Sequence, residues 1–245
     1  MRYKNSKILL LTFSLTAAIF AKSSIEWGYK GEIGPDKWGD LSPKFRMCKE
    51  GKNQSPINLT RFIKAKLPAV EYSYNTKSTE VINNGHTIQV NLKSGSKINI
   101  DNIDFELKQF HFHTPSENKI DGKSFPLEAH FVHASKDGEL AVVALMFEEG
   151  EENKVLSKIW QKMPTKADTK EKLEISDIKE LLPKNKDYYR FNGSLTTPPC
   201  SEGVRWIVLK TPVTISKAQI DKFAKVMGHP NNRPIQPLNA RVILE

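Results

Sequence analysis

Short runs in which apolar and polar residues alternate recur along most of the chain, without helical patterns regularly interposed. A period of two marks strands with one buried face, whereas parallel sheets need strand–helix–strand alternation. HTIQVNL places His86, Ile88, Val90 and Leu92 on one side, and SKINID and FELKQFHFH continue the pattern. LEAHFVH follows, then ELAVVALMF, whose nearly continuous apolar character marks a central strand covered on both faces; VRWIVLK is another. Helical spacing is confined to three places. EENKVLSKIWQKM sets Val155, Ile159, Trp160 and Met163 on one stripe, and ISDIKELLP reads as a short helix. SKAQIDKFAKVMG opens on a capping box of Ser216 and Gln219, carries Ile220, Phe223, Ala224 and Met227 on one face, and stops at Gly228. Residues 22–60, rich in Gly, Pro and Trp, read as loop. The expected fold is α+β and mainly β: a single domain on a large, mostly antiparallel twisted central sheet with short peripheral helices.

The first 21 residues stand outside that fold. MRYKNSK carries Arg2, Lys4 and Lys7 without an acid, and ILLLTFSLTAAIFA is an apolar run ending in small residues. This is the pattern of a secretory signal peptide over 1–21, with cleavage near Ala18 or Ala21, and it is short for a membrane anchor. The mature chain is therefore expected to be exported, periplasmic or extracellular, without a transmembrane segment. Removing residues 1–21 takes away three positive charges and no negative ones, lowering the net charge from +9 to +6. The remaining lysines interleave with acids, which argues against nucleic acid as a partner and leaves only weak association with an anionic envelope.

An exported chain with two cysteines, Cys48 and Cys200, points to one disulfide; the other reading, two zinc ligands, lacks CxxC spacing. A closed loop of about 150 residues would contribute roughly 5 kcal/mol as an upper figure.

The six histidines are unequal. In QFHFHTPSE a strand would put Gln109, His111 and His113 on one face and Phe110 and Phe112 on the other. Alone, that pair is a metal site, a hydrogen-bonded polar pair or chance. LEAHFVH changes the balance, because Glu128, His130 and Val132 share a face while His133 points away with Phe131. The stretch between His113 and His130 is long enough to return an adjacent antiparallel strand, so three imidazoles can converge. Three neutral nitrogens without a thiolate or carboxylate suit Zn²⁺ with a fourth position open. Gln109 and Glu128 each sit two residues before a candidate ligand, where they can accept its other ring N–H. His229, in GHPNNRP, reads as a surface loop residue.

QFHFH, SEN, LEAHFVH and NGSLTTPPCSEGVRWIVLK, together with QSPINL, NNGH and NRPIQPL, resemble the α-class carbonic anhydrases of the exported bacterial type. These motifs run in the same order over nearly all of residues 25–243. The resemblance implies that 22–245 form one such domain, with one Zn²⁺ on His111, His113 and His130. It implies reversible hydration of CO₂ to bicarbonate and a proton, by hydroxide held on zinc. Thr196 and Glu117 would orient that hydroxide, Thr197 would position bicarbonate, and His86 would shuttle the proton out. Val132, Val142, Leu195, Val204 and Trp206 match the apolar wall beside the substrate, although the same residues could simply be core. Tyr29, Asn84 and Gln89 match polar residues along the proton path; Gln89 replaces the commoner asparagine, and Thr87 stands where efficient shuttling members have a smaller residue. The loop after His133 is shorter than in animal members. Cys48 and Cys200 match the disulfide of exported members. Sulfonamide and anion inhibitors, and a side activity on activated esters, follow from the same resemblance.

Overall fold

The computed structural model describes residues 25–245, so the signal-peptide reading of 1–21 lies outside them. In chain order the strands are β1 (Asn58–Leu59), β2 (Phe62–Ile63), β3 (Glu71–Ser73), β4 (Ser78–Asn83), β5 (Ile88–Leu92), β6 (Lys97–Ile100) and β7 (Ile103–His113). They continue as β8 (Lys119–Ile120), β9 (Leu127–Ala134), β10 (Leu140–Glu149), β11 (Thr169–Lys172), β12 (Tyr188–Ser194), β13 (Glu202–Leu209), β14 (Val213–Ile215) and β15 (Ile243–Leu244). Thirteen of them form one sheet, whose main path runs β11-β4-β5-β7-β9-β10-β13-β12-β15-β2. Most pairings are antiparallel, but β10 lies parallel to β13 and to β14, so the sheet is mixed at its centre.

β9 and β10 are almost wholly buried, as strands covered on both faces must be. One face packs Ile88, Val90, Phe110, Phe112, Phe131 and Val143 against the helices α3 (Lys154–Lys162) and α4 (Lys217–Met227). Phe112 meets the Trp160 ring edge-on at 4.9 Å, and Trp160 stacks on Phe223 at 5.6 Å. The Trp160 indole N–H donates to the Gln219 carbonyl, so the buried ring keeps its hydrogen bond. α4 opens on the expected Ser216–Gln219 capping box and ends at Gly228 in the left-handed region. The opposite face carries a second cluster that includes Val132, Val142, Phe191, Val204 and Trp206.

Three expectations are corrected. ISDIKELLP forms a 3-10 turn, Ile178–Leu181, too short for an α-helix. Residues 22–60 are less irregular than their composition suggests: the helical turns α1 (Trp38–Leu41) and α2 (Met47–Glu50) and two 3-10 turns pack there, with Ser42 capping one by accepting from the Lys44 N–H. The third concerns β7, which does not alternate uninterrupted. Its register against β9 slips between Leu107, opposite His133, and Gln109, opposite Val132. One extra residue inverts the parity, so Phe105 and Leu107 share the helix-covered core with Phe110 and Phe112.

Candidate metal centre

Downstream of that bulge, β7 and β9 set His111 directly opposite His130, and His113 opposite Glu128. One nitrogen from each of His111, His113 and His130 lies within 4.8 Å of the others. The remaining nitrogens are occupied. His111 Nδ1 is 2.8 Å from Gln109 Oε1, His113 Nδ1 is 2.7 Å from the Asn231 carbonyl, and His130 Nε2 is 2.9 Å from Glu128 Oε1. An amide oxygen, a backbone carbonyl and a carboxylate accept, so each of these nitrogens carries the ring proton. His111 Nε2, His113 Nε2 and His130 Nδ1 are left with lone pairs toward a common point. Burial lowers the pKa of all three rings, and neighbouring imidazoles lower those of His111 and His130 further, which keeps them neutral.

Glu128 is fully buried and accepts four hydrogen bonds: from His130, the Glu117 and Asn118 N–H groups, and the Asn118 side chain. Burial raises its pKa, and the donors around it oppose that rise.

Glu117 lies against the same point. Its Oε1 accepts from the Arg233 N–H at 2.7 Å, while Oε2 is 3.5 Å from His113 Nε2 and 3.8 Å from His130 Nδ1. Oε2 and His113 Nε2 are buried polar atoms without a hydrogen-bond partner of standard geometry. Two such orphans facing one another is what a site shaped for a cation looks like in its protein atoms alone. Desolvation raises the Glu117 pKa to about 8, against the lowering pull of the Arg233 N–H and the Thr196 side chain.

Thr196 is nearly buried in the turn joining β12 to β13. That turn is closed by the Cys200 N–H donating to the Thr197 carbonyl and the Leu195 N–H to that of Ser201. The Cys48–Cys200 disulfide ties it to the N-terminal segment. Gly193, where β12 enters the turn, has no room for a side chain: a Cβ there would sit 2.1 Å from Ser55 Oγ. Val132, Val142, Val204 and Trp206 lie in one apolar cluster with Leu195 against it, and Trp206 meets the His130 ring edge-on at 4.9 Å.

The proposed proton-path residues are placed differently from their strand pattern. His86 does not share the face of Ile88 and Val90; it sits in the turn before β5, half-buried, stacked on Trp27 at 3.8 Å and 8°. Tyr29 packs among Trp27, Trp38 and His229, so His229 joins this aromatic group rather than standing apart. Asn84 Oδ1 accepts from the N–H groups of His86 and Thr87. Gln89 lies opposite His111 and donates to Asn91, and Thr87 Oγ1 turns onto the Phe112 carbonyl at 2.5 Å.

Two functional candidates escaped sequence reading. Asn231 and Arg233, in a stretch that read as surface loop, are exposed by only 0% and 2%. The Arg233 guanidinium donates to Gln54 Oε1 and to the Ser55 and Cys48 carbonyls, and burial lowers its pKa to about 10. The only local signal was that each adjoins a proline, Pro230 and Pro234, and their partners lie more than a hundred residues away.

Fold and site together define a protein built on one large sheet, with a face on which three histidines, backed by buried acceptors, could hold a metal ion. Residues 33–245 match the family described as eukaryotic-type carbonic anhydrase. The chain is 51% identical over 245 residues to a carbonic anhydrase of Pectobacterium atrosepticum, covering 100% of both, and 48% identical over 239 residues to that of Neisseria gonorrhoeae, covering 97% of this chain and 95% of the relative. Its fold superimposes on the α-carbonic anhydrase of Thermovibrio ammonificans, solved with the inhibitor sulfanilamide, at a TM-score of 0.89 and 52% identity, covering 90% of this chain and 99% of that one. The chain belongs to the α-carbonic anhydrase family, and it is an enzyme of that class.

Proposed function

We propose that this chain hydrates CO₂ reversibly with one Zn²⁺ held by His111, His113 and His130. The observation that carries the reading is the set of three lone pairs converging within 4.8 Å, each ring locked by a hydrogen bond on its far side. When bound, the ion supplies Lewis acidity that lowers the pKa of a water to about 7, a value known from carbonic anhydrases themselves rather than deduced for this chain.

The protein's own groups do the rest. Gln109, the Asn231 carbonyl and Glu128 fix tautomer and ring orientation, which raises ligand basicity. Thr196 Oγ1, backed by Glu117, holds the nucleophile's hydrogen away from substrate so that a lone pair faces CO₂, and the Thr196 N–H serves developing negative charge. That role needs an ionised Glu117. Burial opposes ionisation, the Arg233 N–H and the Thr196 side chain favour it, and a divalent cation held by the three histidines would favour it further. Val132, Val142, Leu195, Val204 and Trp206 offer an apolar wall to an apolar substrate, Thr197 positions bicarbonate, and His86 at the rim passes the proton outward. Sulfonamides and small anions are expected to compete at the metal. The disulfide supports an exported domain spanning 22–245.

Elemental analysis of the purified, disulfide-bonded protein tests the ligand set. One zinc per chain, lost in His111→Ala and in His130→Ala, is the expected result. Full zinc retention in either variant would remove that histidine from the set.

A further inference from the structure

Asn231 uses every polar atom it has, without any exposure to solvent. Its carbonyl accepts from His113 Nδ1 at 2.7 Å, its N–H donates to the Thr114 carbonyl at 3.2 Å, and its Oδ1 accepts from the Thr114 N–H at 2.8 Å. The two hydrogens of Nδ2 go to separate parts of the chain: the Phe112 carbonyl at 2.9 Å and the His86 carbonyl at 3.0 Å. One residue thus touches a metal-face histidine through its backbone and the His86 turn through its side chain.

The turn's shape and its position have different causes. Asn83 and Asn84 fix the shape, accepting from the N–H groups of Gly85, His86 and Thr87, while Gly85 supplies a φ of 82° that favours glycine. Those bonds are local and would move with the turn as a body. The β5–β7 register and the Trp27 stack place the turn broadly, and two further ties fix it to β7 at Phe112: Thr87 Oγ1 donates to the Phe112 carbonyl, and Asn231 Nδ2 bridges that carbonyl to the one of His86. Two donors on one nitrogen and an acceptor on the other arm is a pattern only a side-chain amide supplies, and glutamine carries it one carbon further out.

We propose that Asn231 is a positioning residue for proton transfer: its amide holds the His86 backbone in register with the His113 edge of the site. The proposal rests on the reading of His86 as the shuttle. In the zinc-loaded, disulfide-intact protein, Asn231→Ala should lower kcat about tenfold, the low end for an outer-shell partner, and kcat/KM by less than about threefold. Imidazole buffer should restore kcat. Asn231→Asp keeps the acceptor and loses both donors, so it should behave alike and guards against an alanine variant that folds poorly. His86→Ala should show the same loss, and the double variant no further one. Independently of turnover, the His86 ring protons lie under the Trp27 face, and their ring-current shift should relax toward free-histidine values in Asn231→Ala.

A parallel fall of kcat and kcat/KM with zinc loss and no imidazole rescue would overturn the proposal in favour of plain support of His113. Unchanged kcat with unchanged His86 ring signals would also overturn it. Full kcat in His86→Ala would remove the shuttle reading and this proposal with it, an outcome distinct from failure of Asn231 alone, where His86→Ala still lowers kcat.

Discussion

The two faces of the β7–β9 pair are built from neighbouring residues under opposite rules. Phe110, Phe112 and Phe131 face the helices and need only volume: Phe110 stacks on Phe131, and Phe112 meets Trp160 and Phe223 edge-on, at ring distances typical of packed aromatics. His111, His113 and His130 face the other way, and each needs a specific acceptor besides. Two of those acceptors come from the same strands, but the third comes from residue 231. Both faces draw on distant chain, the apolar one for volume that any large apolar side chain can supply and the polar one for an acceptor aimed at a single ring nitrogen. His133 sharpens the contrast. It lies on the apolar side, bonded to the Tyr74 hydroxyl at 2.8 Å and, more loosely, to the Ala141 carbonyl at 3.3 Å, which uses both ring nitrogens and leaves no lone pair to offer.

The contrast breaks most sharply at His113. Replacing it with alanine removes a proposed ligand and the far-side bond to Asn231, and should reduce hydration to the uncatalysed background, read with zinc content. On the opposite face, Phe112→Ala should destabilise by about 3–5 kcal/mol in denaturant melts, with zinc stoichiometry retained. Loss of zinc at low denaturant would show that the faces are not separable. Reducing Cys48–Cys200 should lower stability by about 2–4 kcal/mol and slow turnover through the Thr196 turn. Full activity after complete reduction would detach the disulfide from catalysis. Glu117→Gln should retain zinc and lower kcat/KM about 10–100-fold, as removal of an outer-shell partner does.

The remaining effect concerns the pH dependence of stability, and it vanishes at neutral pH. Burial lowers the His133 pKa from 6.5 to about 3, so folded His133 stays neutral where the unfolded chain takes up a proton. Its contribution is present above 6.5 and is lost as pH falls toward 3. Replacing both partners, His133→Leu with Tyr74→Phe, should make the zinc-loaded protein's stability fall less steeply over that range. An unchanged slope would assign the acid sensitivity to other groups.

Much of this was legible in the chain. Alternation located β5, β6, β7 and β9, nearly continuous apolar runs located β10 and β13, and the capping box located α4 to the residue, because all three signals are local. The histidine face was legible for the same reason, since His111 and His113 sit in the uninterrupted part of β7. The bulge was not: a period count assumes an unbroken pleat, and Lys108 carries no turn-forming signature. Asn231 and Arg233 were not legible either, because burial of polar residues is decided by partners remote in sequence. Val132, Val142, Val204 and Trp206 could be read as core or as pocket wall, and the structure places them in one buried cluster that meets the His130 ring through Trp206.

Rapid-mixing CO₂ hydration with a pH indicator, on the oxidised zinc-loaded protein and on His113→Ala side by side, tests the central claim most directly. Fast turnover in the first and background rates in the second are predicted. Background rates in both, with zinc bound and the disulfide formed, would contradict the account and leave a zinc-binding relative that does not catalyse the reaction.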